Sequence, residues 1–233
     1  MDFLLAFLER HWRSGGIIFA VLYIVAYLTY GSQPGVGASA SDLVSYYHGN
    51  STRILIAGFI LSFGVLYLVW FASALSSVIR DRGQGTWATT ATAASASFAA
   101  VTWLLVVLRS ALAYSIVDSG NSQFASGLND LSWALMVTAA IPAAMLIMSG
   151  SFGLWFARLI STAAFAPGFA AIWLELAGGT TWMHGGIWAA DGAYSHFFAP
   201  LLLVAWAVVV SSFLFVLSPS NAPARQRAVV SAQ

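Results

Sequence analysis

Two ionisable side chains, Arg109 and Glu175, lie deep within apolar sequence. Such residues are costly inside a membrane, and they often mark a charge partner, a ligand site or a proton-transfer group. Counting about 1.5 Å per residue along each helix places Arg109 late in the third apolar segment and Glu175 late in the fifth. We therefore expect the two side chains to approach each other near the outer membrane boundary. In the alternative arrangement, each side chain extends separately to water.

A second group of polar and aromatic residues follows the fifth apolar segment, over residues 181–196. This connection is too apolar for a solvated loop, and its glycines permit tight backbone bends. It is expected to form either a cap over the outer ends of the helices or a short re-entrant segment. The candidate ligand-binding residues are Arg109, Asp130, Glu175, Trp182, His184, Trp188, Asp191 and His196. The competing interpretation is an interfacial belt of aromatic residues around an ordinary bundle.

Histidines and an aspartate in this connection raise the question of a metal or a cofactor. His184, Asp191 and His196 could ligate a divalent metal if they converged, but their spacing matches no metal motif, so we predict no metal site. Haem between helices needs axial ligands inside the membrane, whereas all four histidines lie at segment ends or in loops. We therefore predict no cofactor.

Two residue types are missing from the chain, and their absence removes several chemistries. All nine basic residues are Arg, so no lysine Schiff base can form. The chain has no Cys, which excludes dithiol chemistry, Cys-ligated zinc and iron–sulfur clusters. No charge lies near the centre of an apolar segment, which disfavours proton pumps, ion-coupled carriers and voltage sensors. No basic surface suggests a nucleic-acid partner.

The elements that must position these residues are membrane-spanning helices. Of the residues, 60% are hydrophobic and only 7% are charged, against about 25% charged in a soluble domain. The apolar stretches, about 20 residues long, can cross a hydrocarbon core of about 30 Å. We predict an all-α fold, a polytopic transmembrane bundle of six spans. The predicted spans are residues 15–30, 53–79, 87–112, 131–148, 154–176 and 197–217.

The spans predict the domain organisation. Residues 1–14 are expected to form an interfacial helix, because their apolar side chains can share one face while charges close the end. Residues 15–217 form the six-helix bundle, and residues 218–233 are predicted to be a disordered cytoplasmic tail. Clusters of Gly, Ser, Pro, Asn and Asp predict turns at residues 31–35, 81–85, 118–121 and 149–151.

The arginine distribution predicts the orientation, because basic residues near span ends are retained in the cytoplasm. In a six-span chain, seven arginines fall on one side and two on the other. The seven are Arg10, Arg13, Arg80, Arg82, Arg158, Arg225 and Arg227, and the two are Arg53 and Arg109. We therefore predict a multi-pass protein of the cell membrane, with the lipid bilayer as its partner and both termini cytoplasmic.

Three sequence features accompany the predicted spans. They are the hairpin Arg80-Asp81-Arg82-Gly83, the segment Asn129-Asp130-Leu131-Ser132-Trp133 at the start of the fourth span, and the Gly-rich last connection. Together with the rhythm of the helices, they resemble a group of six-helix integral membrane proteins that are common in actinobacteria and have no assigned activity. The resemblance implies the fold, and no catalytic residue is carried over from it.

Three functions are compatible with these features. The first is a module that binds or passes a small hydrophobic or lipid-like molecule in the outer half of the bundle. The second is a non-catalytic subunit that assembles with other membrane subunits. The third is an intramembrane enzyme acting on a hydrophobic substrate, with Glu175 or Asp130 as general acid or base. Bound lipid or a closed cavity would favour the first or the third function, and extensive contacts with another chain would favour the second.

Overall fold

The computed structural model describes residues 11–116 and 121–217. Within them the chain folds into six α-helices and no β-strand. These are α1 (Gly15–Tyr30), α2 (Ala40–Arg80), α3 (Gly85–Ala111), α4 (Ser122–Phe156), α5 (Thr162–Gly178) and α6 (Ala199–Val216). A π-helical turn, Leu112–Ile116, continues α3, and another, Tyr194–Phe198, precedes α6. The all-α prediction is therefore confirmed.

Four of the helices are long and apolar enough to cross a membrane by length and composition: α2, α3 with its π-helical turn, α4, and α6 with its π-helical turn. Helices α1 and α5 are also apolar but shorter, with 16 and 17 residues. These four helices have the length and composition expected of a helical membrane protein. The predicted interfacial helix, residues 1–14, falls largely outside the described residues, and the predicted tail, residues 218–233, falls entirely outside them.

The predicted turn at residues 149–151 is wrong, because α4 continues through it to Phe156. These small residues serve packing instead: a Cβ at Gly150 would lie 2.5 Å from the Trp206 ring. Trp206 Nε1 also donates a hydrogen bond to the hydroxyl of Ser151 at 3.1 Å. The actual turn contains Arg158, which adopts a left-handed φ of 56°. As a result, α5 begins at Thr162 and not at residue 154.

The first turn prediction, at residues 31–35, and the hairpin after α2 agree with the structure, since both segments lie between helices. Two helices nevertheless begin earlier than their predicted spans. Helix α2 starts at Ala40, where Ser39 accepts a hydrogen bond from the backbone N–H of Asp42 at 3.2 Å, the usual role of an N-cap serine. Helix α4 starts at Ser122, after the cap Asn121.

Each helix packs against the next one along the chain, and α6 closes the ring by packing against α1. The main core fills the half of this ring that contains the start of α1 and the end of α2, where Phe71, Leu75 and Leu146 are fully buried. Helices α1 and α6 approach each other closely there, and this requires a glycine at position 16. A Cβ at Gly16 would lie 2.6 Å from the carbonyl oxygen of Ala207. The polar side chains of interest lie in the other half.

A smaller apolar cluster stabilises the parts of α2 and α4 that precede the predicted spans. It joins Leu43 and Tyr47 of α2, Leu112 of the π-helical turn and Ala125 of α4. This cluster supports the loop between α1 and α2, residues 31–39, which we call the strap. The strap lies at the end of the ring where α1 and α5 finish.

Candidate functional site

The six helices surround a cavity at the end of the ring that the strap covers. Its empty space is about 1080 Å³ when the open solvent at its mouth is counted, and about 90 Å³ of this accepts the centre of a water-sized sphere. Its polar lining comprises Tyr23, Tyr27, Tyr30, Gln33, Thr102, Arg109, Ser110, Glu175, Ser195 and His196. Its apolar lining includes Ile54, Leu61, Phe98, Leu105 and Leu203. Apolar walls with a few polar groups are the usual composition of a small-molecule site.

Five buried side-chain atoms in the described residues have no hydrogen-bond partner. They are Tyr30 Oη, Gln33 Oε1, Arg109 Nε, Glu175 Oε2 and His196 Nδ1. All five belong to residues that line this one cavity. Buried polar atoms in folded proteins are nearly always paired, and an unpaired one costs about 1–3 kcal/mol. Their concentration at a single place therefore indicates a site for a polar guest.

Arg109, near the end of α3, is held by aromatic rings and not by an acid. Its guanidinium carbon lies 4.7 Å from the ring centroid of Tyr30 and 5.8 Å from that of Trp133. Its only hydrogen bond within the described residues is a weak one, from Nη2 to the sulfur of Met136 at 3.9 Å. Aromatic faces attract a cation without neutralising it. The charge of Arg109 therefore remains available to an anion.

Glu175, near the end of α5, is almost completely buried, with only 2% of its surface exposed. It lines the cavity together with Arg109. The two side chains come together only as lining residues of this cavity and form no ion pair, since no nitrogen–oxygen distance of 4.0 Å or less joins them. The physical reason is that Tyr30, Trp133 and Met136 already surround the guanidinium. A guanidinium and a carboxyl group thus line one cavity without pairing with each other.

His196 comes from the π-helical turn before α6. Its ring contacts the rings of Tyr27 and Trp133, with centroids 5.4 and 5.3 Å away, and that of Phe197 at 4.4 Å. These contacts fix the imidazole in the cavity wall while Nδ1 stays unpaired. A π-helical turn brings extra residues into a helix and often occurs at functional sites.

Sequence reasoning missed the three tyrosines of α1. Tyr23, Tyr27 and Tyr30 have the spacing i, i+4, i+7, which places them on one face of the helix, and all three line the cavity. The signal was available, since a row of phenols in an otherwise apolar helix is unusual. Hydropathy alone does not separate such a row from interfacial tyrosines.

The strap is fixed to the bundle by side chains of α4. Asn129 donates from Nδ2 to the carbonyl oxygen of Gly35 at 3.0 Å, and Trp133 donates from Nε1 to that of Pro34 at 3.0 Å. Asn129 and Trp133 are 0% and 1% exposed. Gln33 donates from Nε2 to the amide oxygen of Asn129 at 3.1 Å, and its own Oε1 remains unpaired at the cavity.

Two of the candidate acids fasten the same strap from outside the cavity. Asp130 accepts a hydrogen bond from the backbone N–H of Gly37 at 3.0 Å, and Asp191 accepts one from Val36 at 3.0 Å. Neither aspartate lines the cavity. In the structure, Asp130 and Asp191 therefore bind the backbone of the strap, because their carboxylates accept hydrogen bonds from its N–H groups.

The remaining three candidates lie outside the cavity, in the connection between α5 and α6. Trp182 is 54% exposed and donates to the carbonyl oxygen of Gly179 at 3.1 Å. Trp188 donates to that of Thr180 at 3.1 Å, and His184 is exposed. Within residues 11–116 and 121–217, no three His, Cys, Asp or Glu side chains are grouped so as to hold a metal ion.

No protein-family profile, curated protein sequence or solved structure matches this chain.

Proposed function

We propose that this chain is a six-span protein of the cell membrane that binds a small lipid-like molecule in the cavity. The observation that supports this most strongly is the set of five unpaired buried polar atoms, all at the lining of one mostly apolar cavity. A guest with a polar head and an apolar chain satisfies both parts of that lining. Buried polar atoms favour such a guest over a purely apolar one.

The packing of the two shorter helices supports the six-span count. Helix α1 packs against α2 and α6, and α5 packs against α4 and α6. Both short helices therefore lie side by side with helices that are long enough to cross a membrane. Glu175 near the end of α5 lines the same cavity as Met136 in the first half of α4 and His196 before α6. This arrangement favours an α5 that crosses the membrane between α4 and α6.

The distribution of the arginines supports the proposed orientation. Arg80, Arg82 and Arg158 lie in or next to the connections after α2 and α4, at the end of the ring opposite the cavity. Because basic residues near span ends tend to be retained in the cytoplasm, this distribution favours a cavity in the outer half of the membrane and cytoplasmic termini.

Cysteine labelling in intact cells tests this topology without background, because the chain has no native Cys. We expect a cysteine at Ala193, in the connection before α6, to react with an impermeant thiol reagent. A cysteine at Gln84, between α2 and α3, should react only after the cells are permeabilised. The opposite pattern would reverse the orientation, and equal reaction at both positions would contradict the span count.

Cavity filling tests the binding function. Ala139 of α4 lines the cavity, and its neighbour Thr138 is exposed on the same helix. We expect Ala139→Phe to weaken binding of an added lysophospholipid or monoacylglycerol by about tenfold or more, because the new ring occupies the space of the guest. Thr138→Phe should leave binding unchanged. Native mass spectrometry of the detergent-solubilised protein measures both affinities, and equal binding by the two variants would refute a site in this cavity.

A further inference from the structure

We infer that the guest has a zwitterionic head, in which an acidic group such as a phosphate is linked to an amine. This inference rests on the proposed binding function and specifies its ligand class. The cavity is lined by the guanidinium of Arg109 and the buried carboxyl group of Glu175, which do not pair with each other. One molecule whose head has an acidic group and an amine can supply a partner to each of them.

The cationic side of the cavity fits an acidic oxygen. Arg109 has an unpaired Nε, and the only hydrogen bond of its guanidinium in the described residues goes to a sulfur. A guanidinium binds phosphate and carboxylate groups through two parallel N–H donors, one to each oxygen. A single thioether sulfur can accept from only one of these donors. The Tyr30 ring at 4.7 Å holds the guanidinium plane in place for this contact.

The acidic side of the cavity fits an ammonium group. Glu175 is 2% exposed and its Oε2 has no partner. An ammonium supplies three N–H donors to such an oxygen. Tyr23 and Tyr27 line the same cavity, and phenol rings add a favourable surface for a cation.

Charge balance separates a zwitterion from simpler heads. An acidic head alone would pair with Arg109 but would give the carboxyl group of Glu175 no amine partner, and an amine alone would face the guanidinium. A neutral head would give neither the guanidinium nor the carboxyl group a charged partner, whereas an ammonium group beside Glu175 favours its ionised form. The apolar walls formed by residues such as Leu61, Phe98 and Leu203 then accept a hydrocarbon chain attached to the head. A phospholipid-type amphiphile combines these parts.

A chain-matched series of probes tests the head. Lysophosphatidylethanolamine, lysophosphatidic acid and monoacylglycerol share the acylglycerol and differ in the charges of the head, and phosphoethanolamine supplies the same head without a chain. We expect the wild-type protein to bind the zwitterionic lysolipid more tightly than either acylated analogue, by a factor of about ten or more. One added charge-assisted hydrogen bond accounts for a difference in affinity of this size. Phosphoethanolamine alone should bind more weakly than the lysolipid, because it lacks the contacts of the chain.

The outcomes distinguish this inference from the proposed function. Equal affinity for all three acylated probes would overturn the zwitterion and leave a lipid-binding cavity. If none of them binds, the proposed function falls as well. If the free head binds as tightly as the lysolipid, the guest is a soluble zwitterion and not a lipid.

Two conservative variants provide an independent check on the assignment of the charges. Arg109→Gln should weaken binding of both phosphate-bearing probes by a larger factor than it weakens binding of monoacylglycerol, and circular dichroism of the purified variant checks that it is folded. Glu175→Gln should remove the preference for the amine, so that lysophosphatidic acid binds at least as tightly as lysophosphatidylethanolamine. Retention of the wild-type preference in Glu175→Gln would contradict the pairing of the amine with this carboxylate. If a variant fails to fold, the wild-type series alone decides.

Discussion

Replacement of Trp133 by Ala is expected to destabilise the protein by about 3–5 kcal/mol, as is usual when a buried large aromatic side chain is removed. Trp133 is 1% exposed, and its ring contacts His196 and lies beside the Arg109 guanidinium. Its Nε1–H also holds the carbonyl oxygen of Pro34 in the strap. The substitution therefore opens a void in the cavity wall and releases one attachment of the strap at the same time.

Trp173→Ala is the matched control, because this residue is 61% exposed on α5 and the same atoms are removed. Thermal unfolding in detergent measures both variants. A cysteine placed at Val36 of the strap adds a second readout, since its labelling should become faster in Trp133→Ala. Equal, small losses of stability in the two tryptophan variants, with no change in labelling, would show that Trp133 does not hold the strap.

Replacement of Glu175 by Leu is expected to raise the stability of the ligand-free protein by about 1–3 kcal/mol, the usual cost of an unsatisfied buried polar group. Most substitutions at a buried position destabilise a protein, so the sign is the informative part. Leu has a similar volume and needs no hydrogen-bond partner, whereas Glu175 Oε2 has none. The same variant should no longer bind a zwitterionic lysolipid. A residue that lowers stability but is needed for binding is a usual form of the trade-off between stability and function.

Asp191→Leu is the control for this prediction. Asp191 accepts a hydrogen bond from Val36 in the strap, so its loss should lower stability by about 1 kcal/mol. Unfolding of the two variants under identical detergent conditions provides the comparison. A large loss of stability in Glu175→Leu would mean that this carboxyl has a structural partner, and it would remove the main reason for assigning Glu175 to ligand binding.

Some of the site could be predicted from sequence because charge in apolar sequence is a local signal. Arg109 and Glu175 stand out in this way, and the structure places both at the cavity with His196. The roles of Asp130 and Asp191 could not be predicted, because they depend on a loop far away in the chain. A carboxylate in a connecting segment looks the same whether it binds a ligand or a backbone N–H group.

The fold likewise has features that follow from local sequence and features that depend on packing between helices. Apolar stretches of sufficient length predict helices, because the backbone must satisfy its own hydrogen bonds in lipid. The turn predicted at residues 149–151 was wrong because Gly and Ser also serve close packing, here against Trp206. The early start of α2 was missed because the cluster around Leu43 and Tyr47 forms only when α4 is in place.

The central claim, that the cavity holds a lipid-like guest, is tested most directly by native mass spectrometry of the protein extracted from its own membranes in mild detergent. The account predicts that wild-type protein and Thr138→Phe retain one small amphiphile per chain, and that Ala139→Phe does not retain it. If all three proteins carry the same bound molecules, or if none carries any and no added probe binds, the cavity is not a ligand site.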